Sequence, residues 1–308
     1  MVAKPQRSSD ATGYILLAAP VLFWGGSYRA VSIAGPHASA LTLNGLRALI
    51  SAALLLGLLP LLRSRFPTGR LLMWSAVTGV LGVVVFLEGF SEGILRAGAG
   101  NAAVLSNTSP FFVLLLGRRV LGERLKPSGV RGLVIGFAGV VTMVASQLGG
   151  AEGSNLALGM ALALAAGAGW GIATLIVKWL AQRDPQLDVT AISAGQYVIG
   201  GLILGVLAIS IDGTGGAEWS SGDLWGAIAF LTVGASVIGF IAFFAALKRL
   251  KASVASAAQF LVPVVAVLIE IVRGTVPGAV VLVGMVVTVA GVALVNLAPD
   301  LPQLRRTR

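Results

Sequence analysis

The chain has 308 residues, 56% of them hydrophobic and only 11% charged, with a formal net charge of +10. A soluble domain carries about 25% charged residues, so a single soluble domain is excluded. The sequence has no cysteine, which excludes disulfides and cysteine-ligated metal. Its single histidine, His37, cannot build a histidine metal site alone, so no metal and no other cofactor is expected. The basic excess is assigned to membrane-flanking loops rather than to nucleic acid.

Apolar runs long enough to cross the ~30 Å hydrocarbon core as helices recur from end to end. They are continuous, unlike the alternating strands of a transmembrane barrel. In chain order the predicted spans are 14–34, 40–62, 71–90, 93–117 and 129–147, then 156–180, 189–211, 223–247, 252–272 and 278–297. The third and fourth are joined through Gly89 and Gly93 with almost no loop. Residues 1–40 carry signal-peptide features: Lys4 and Arg7 precede an apolar stretch, and Ala38-Ser39-Ala40 resembles a cleavage site. The stretch is longer than a signal core and Arg29 interrupts it, so it is expected to remain as the first span.

With the amino terminus inside, the same-side segments hold Lys4, Arg7, Arg63, Arg65, Arg70, Arg118, Arg119, Arg124, Lys126 and Arg131. They also hold Lys178, Arg183, Lys248, Arg249, Lys251, Arg305, Arg306 and Arg308. The opposite loops hold Glu152, Asp212, Glu218 and Asp223. By the positive-inside rule both termini are cytoplasmic.

The halves, 1–148 and 149–308, resemble each other. Trp24-Gly25 matches Trp170-Gly171, and Leu95-Arg96-Ala97 matches Leu250-Lys251-Ala252. Ser109-Pro110 matches Val262-Pro263, and the Gly132/Gly139 pair matches Gly284/Gly291. Five spans is an odd number, so the second half is inverted relative to the first. Inverted repeats characterise secondary transporters, whose similar halves exchange conformations. The alternative is an old duplication with no transport role.

Phe23-Trp24-Gly25-Gly26-Ser27 and Arg47 resemble the opening of the EamA family in the drug/metabolite transporter superfamily. So do Leu95 to Ala103, Ser109-Pro110 and Leu121-Gly122-Glu123-Arg124-Leu125, with a departure at Gly274, which stands near the place of Glu123. The resemblance covers nearly the whole chain. It implies an all-α integral membrane protein of ten helices in two inverted five-helix repeats around a central cavity. Among the family's members the chain is most similar to exporters of amino acids and metabolites, those of aromatic amino acids included.

Charges inside spans usually mark function or a paired interface. Here they are Arg29, Arg47, Glu88, Glu92, Arg96, Glu270 and Arg273, all toward the outer side of the expected topology. Glu88, Glu92, Arg96 and Glu270 are the gate or proton candidates. The open readings are an ion-pair gate, contact with substrate or proton, and snorkelling to the interface. Arg47 is the best anion candidate. Trp24, Asn44, Arg47, Asn101, Trp170, Tyr197 and Gln259 are the candidate cavity residues, and Pro110 and Pro263 the candidate hinges.

A nucleotide-driven pump is disfavoured by the absence of G-x-x-x-x-G-K-[ST]. An intramembrane protease is disfavoured because no aspartate falls in the interior of a span and His37 lies at a loop. The reading is a secondary transporter in a bacterial inner membrane, exporting small metabolites, amino acids foremost, with no enzymatic activity. The alternatives are another metabolite class, or a non-transporting receptor or assembly factor. The expected partners are a small-molecule substrate and the lipid bilayer, with a homodimer as the candidate assembly.

Overall fold

The structure, a computed structural model, describes residues 7–145 and 155–297. Lys4, Glu152, Arg305, Arg306, Arg308 and the expected boundary between the halves at 148–149 lie outside the described residues. Among those described, nine helical segments are long and apolar enough to cross a membrane. They are α1 (Ala11–Ala34), α2 (Ala40–Leu61), α3 (Gly69–Val120), α4 (Pro127–Val144), α5 (Leu156–Arg183), α6 (Val189–Ile211), α7 (Gly222–Arg249), α8 (Ala252–Val272) and α9 (Ala279–Asn296). Extended pairing among the described residues is limited to one bridge between Ala38 and Ala217. Large apolar side chains such as Ile15, Leu61, Ile209 and Val272 remain exposed on the outside of the bundle. In a helical membrane protein that surface faces lipid, while backbone groups are satisfied within each helix.

Local sequence starts these helices in recognisable ways. Ser39 caps α2 by accepting from the Thr42 N–H at 3.0 Å, and Asp188 caps α6 by accepting from Thr190 and Ala191. Pro127 sits in the first turn of α4, where its missing N–H has no intrahelical partner to lose.

The 52-residue α3 would be far longer than the membrane if straight. It breaks at Gly98, whose φ of 83° and ψ of 154° are non-helical and open chiefly to glycine. We call its arms α3a (69–97) and α3b (99–120). The sequence reading placed this boundary at Gly89–Gly93, and the structure moves it. Both of those glycines are helical and pressed against α5: a β-carbon on Gly89 would lie 2.4 Å from the Leu162 carbonyl oxygen. Small residues in a span serve either a turn or close packing, and their spacing alone does not distinguish the two. Glu88, Glu92 and Arg96 therefore share one helix instead of straddling a loop.

Both α3a and α7 contain π-helical turns, at Val80–Val85 and Phe230–Ile238. The helices that carry Pro110 and Pro263 are interrupted just before the proline, α3b at Asn107–Thr108 and α8 by the 3-10 turn Ala258–Phe260. Proline cannot donate to the carbonyl four residues back and clashes with it, which frees Ser106 and Gln259 from that register.

Helices α4 and α9 pack antiparallel through glycine. A β-carbon on Gly291 would lie 2.2 Å from the Gly136 nitrogen, and one on Gly139 2.4 Å from the Thr288 nitrogen. Gly132 faces Gly291, and Gly139 faces Gly284. If Gly132 is equated with Gly284 and Gly139 with Gly291, as the sequence match does, the two contacts exchange.

One end of the bundle gathers the connections 62–68, 121–126, 184–188 and 250–251, with most of the described basic residues. We call it the basic end. The opposite end gathers 35–39, Gly98, 212–221 and 273–278, tied by Glu218 N–H donating to the His37 carbonyl at 2.7 Å. Tryptophans mark both levels. Trp74 and Trp179 meet at 5.2 Å near the basic end, and Trp219 and Trp225 at 6.4 Å near the other. Such aromatic belts sit at membrane–water interfaces.

Candidate functional site

The centre of the bundle is aromatic. The Trp24 and Trp170 rings meet edge-on with centroids 5.3 Å apart. Around Trp170 stand Phe86 at 5.1 Å, Phe240 at 5.0 Å and Phe243 at 5.2 Å. Trp24 reaches this position because its indole N–H donates to the Ala235 carbonyl at 2.9 Å. Ala235 belongs to the π-helical turn of α7, and such turns loosen the i→i−4 ladder, often at functional sites. The matching indole N–H of Trp170 is buried with no hydrogen-bond partner.

Arg47 enters from α2 and is 2% exposed. Its Nε donates to Ser236 Oγ at 2.8 Å, in the same π-helical turn. Among the described residues no carboxylate lies within ion-pair distance of it. A buried guanidinium without a counter-charge is costly, so this arginine is a ready partner for an anion. It borders a central cavity of about 40 Å³ with Trp24, Ser27, Tyr28, Ser106, Asn107 and Gln259. The Gln259 side chain accepts from Ser109 at 3.0 Å and leaves its own amide donor unused. Tyr197 packs on Phe240 at 5.0 Å, its hydroxyl buried and unpartnered.

The other candidates are placed as follows. Asn44 donates to the Glu88 carboxylate at 3.0 Å and to the Leu87 carbonyl at 3.1 Å. Asn101 turns to the backbone, donating to the Ala97 carbonyl at 2.7 Å, and so braces the break at Gly98. The intramembrane charges do not form one network. Arg96 pairs with Glu92 one turn away, while Glu270 lies between Arg29 at 3.8 Å and Arg273 at 3.9 Å. Pro110 and Pro263 follow the two helix interruptions described above.

The residue reading missed three features. Tyr28 lines the central cavity, and only its place one helical turn from Trp24 could have signalled that. Ser236 was hidden because π turns have no sequence signature. Lys178, counted with the loop charges, is instead buried in α5, donating to the Leu247 and Leu250 carbonyls at 2.8 and 2.6 Å. Beside it Glu123 accepts from the Ala252 N–H, and Lys248 donates to the Leu187 carbonyl at 2.6 Å. Three segments thus grip the connection between α7 and α8 at the basic end.

Comparison with known proteins agrees with this architecture. The chain matches the EamA-like transporter family twice, over residues 11–145 and 157–297, and belongs to that family. A relative from Streptantibioticus cattleyicolor named as a probable terminal-alkyne amino-acid exporter is 28% identical over 279 residues, 90% of either chain. An uncharacterized transporter of Archaeoglobus fulgidus is 29% identical over 261 residues, 83% of this chain and 87% of that one. The uncharacterized transporter YoaV of Bacillus subtilis is 25% identical over 252 residues, 80% of this chain and 82% of that one. One solved crystal structure superposes with a TM-score of 0.77 over 94% of this chain and 97% of its own, at 21% identity. The chain is a multi-pass, non-enzymatic membrane transporter.

Proposed function

We propose that this transporter exports small amphipathic metabolites, amino acids foremost, across a bacterial inner membrane by alternating access. The observation that carries this reading is Arg47, buried without a carboxylate partner at the edge of an aromatic-walled cavity. A substrate carboxylate would answer the guanidinium, and an apolar or aromatic side chain would answer Trp24, Phe86 and Phe90. The Streptantibioticus relative, named for an amino-acid exporter, supports the same class.

The topology we infer has ten spans, with α3a and α3b crossing separately. Gly98 supports this, since the matching place in the second half, Leu250-Lys251, separates two helices. The repeats 1–148 and 149–308 are taken as inverted. Support comes from the Trp24–Trp170 contact and the exchanged glycine contacts of α4 and α9, which suit a pseudo-two-fold axis in the membrane plane. The basic end is assigned to the cytoplasm by the positive-inside rule. In that orientation Glu123, Lys178 and Lys248 hold the cytoplasmic gate shut. Glu88, Glu92 and Glu270 are the acidic groups available for proton coupling.

Uptake into proteoliposomes across a panel of labelled amino acids, with and without a pH gradient, tests this reading. Saturable flux of neutral amino acids is expected. Its absence across the panel would move the substrate to another metabolite class.

A further inference from the structure

A second cavity, of about 340 Å³, lies toward the opposite end between α1, α3b, α4, α8 and α9. Its walls are apolar: Gly25, Ala103, Met143, Pro263, Ala266 and Val281. Arg29 and Glu270 also line it, 3.8 Å apart and each about two-fifths exposed. That separation is too long for a hydrogen bond, and an ion pair so exposed contributes little. An incoming zwitterion could replace it, carboxylate to Arg29 and ammonium to Glu270, with no change in net charge. The volume falls in the range of small-molecule sites, whereas the central cavity, about 40 Å³ as it stands, has room for water and must widen to take the substrate proposed above.

Tyr28 lines both cavities. Its ring lies 4.9 Å from Phe90, centroid to centroid, and its hydroxyl accepts from Asn107 at 3.2 Å. Asn107 ends the first helical stretch of α3b at the interruption before Pro110. A shift at that interruption would withdraw the hydrogen bond and free the ring.

We propose that this larger cavity is a second binding site for a zwitterionic molecule with an apolar body, and that Tyr28 is the septum between it and the central cavity. The proposal rests on the transport reading above, and names a waiting site on the route from the centre to the opposite end.

The absence of native cysteine allows a direct test with single-cysteine variants, Ala266→Cys in the larger cavity and Ser106→Cys in the central one. Both are labelled with a membrane-impermeant thiol reagent in proteoliposomes of fixed lipid composition. L-Phenylalanine should slow labelling of Ala266→Cys severalfold. Phenethylamine, lacking the carboxylate, and 3-phenylpropionate, lacking the ammonium, should not. Equal protection by all three, or by none, overturns the assigned class. Tyr28→Ala should raise labelling of Ser106→Cys severalfold while leaving Ala266→Cys unchanged. Tyr28→Phe, which keeps the ring and loses only the hydrogen bond, should fall between. Unchanged labelling in both Tyr28 variants overturns the septum. Flux of labelled L-phenylalanine, measured on the same vesicles, separates the two readings. Flux without protection removes the second site and keeps transport; protection without flux keeps the site and removes transport of that solute.

Discussion

Glu123 accepts from the backbone N–H of Ala252 through both carboxylate oxygens, at 3.1 and 2.9 Å. The loop after α3b thereby caps the start of α8. A helix N-terminus has unpaired N–H donors and a partial positive charge, so a carboxylate is well placed there. Near the matching place of the second half stands Gly274, which has no side chain to form such a cap. The two halves that match the family are thus unequal at this position. Glu123→Ala should lower the stability of the purified protein by about 1–2 kcal/mol, the cost of losing a helix cap. Glu123→Gln, which keeps an acceptor, should lose less. Equal melting temperatures for the two variants and the parent would remove the cap from the account.

Burial pushes the Glu123 carboxyl above its ordinary pKa, against the Ala252 N–H and the Lys178 ammonium, which pull it down. The folded protein therefore binds this proton more tightly than the unfolded chain. Stability should decline as pH rises from the ordinary carboxylate value through the raised one. Melting temperature measured against pH should show a shallower decline in Glu123→Gln. An identical slope would mean that other groups set the pH dependence.

Lys178 satisfies two carbonyls at the end of α7. Lys178→Met keeps the apolar stem and removes the ammonium, leaving buried acceptors unpaired. A loss of about 1–3 kcal/mol is expected, together with faster labelling of a cysteine placed beneath the connection. A variant as stable as the parent would show that water replaces the ammonium.

The glycine contact of α4 and α9 has no room for a side chain. Gly291→Leu should cost about 1–3 kcal/mol or abolish folded yield. Gly57→Ala, where a β-carbon meets nothing within 4 Å, should be neutral or mildly stabilising. Comparable yields of both variants in a detergent-stability assay would contradict the packing.

Arg47→Lys should not preserve flux of carboxylate-bearing solutes. The guanidinium donates sideways to Ser236 while presenting its remaining N–H groups in a plane, and an ammonium cannot do both. Ser236→Ala should be milder. Full activity in Arg47→Lys would place substrate recognition elsewhere.

Much of this was legible in the sequence because hydropathy and loop charge act over whole segments. The apolar runs located most of the helices, the 71–90 and 93–117 spans excepted, and Trp24 and Trp170, matched in order, do meet. What was not legible depends on local backbone departures and on tertiary contact. Gly89 and Gly93 read like a turn but pack against α5, while the turn falls at Gly98. Asn101 reads as cavity-lining, yet it satisfies the carbonyl that this turn frees. Lys178 reads as a loop charge because carbonyl acceptors leave no mark in a sequence.

In the transport cycle proposed above the two ends open reciprocally. That exchange can be followed by the labelling rate of Ser253→Cys, beneath the Glu123 cap, beside that of Ala266→Cys at the opposite end, each with and without Glu123→Ala. Releasing the cap is expected to raise labelling of Ser253→Cys and lower that of Ala266→Cys. A rise at both sites, or a change confined to one, would contradict alternating access.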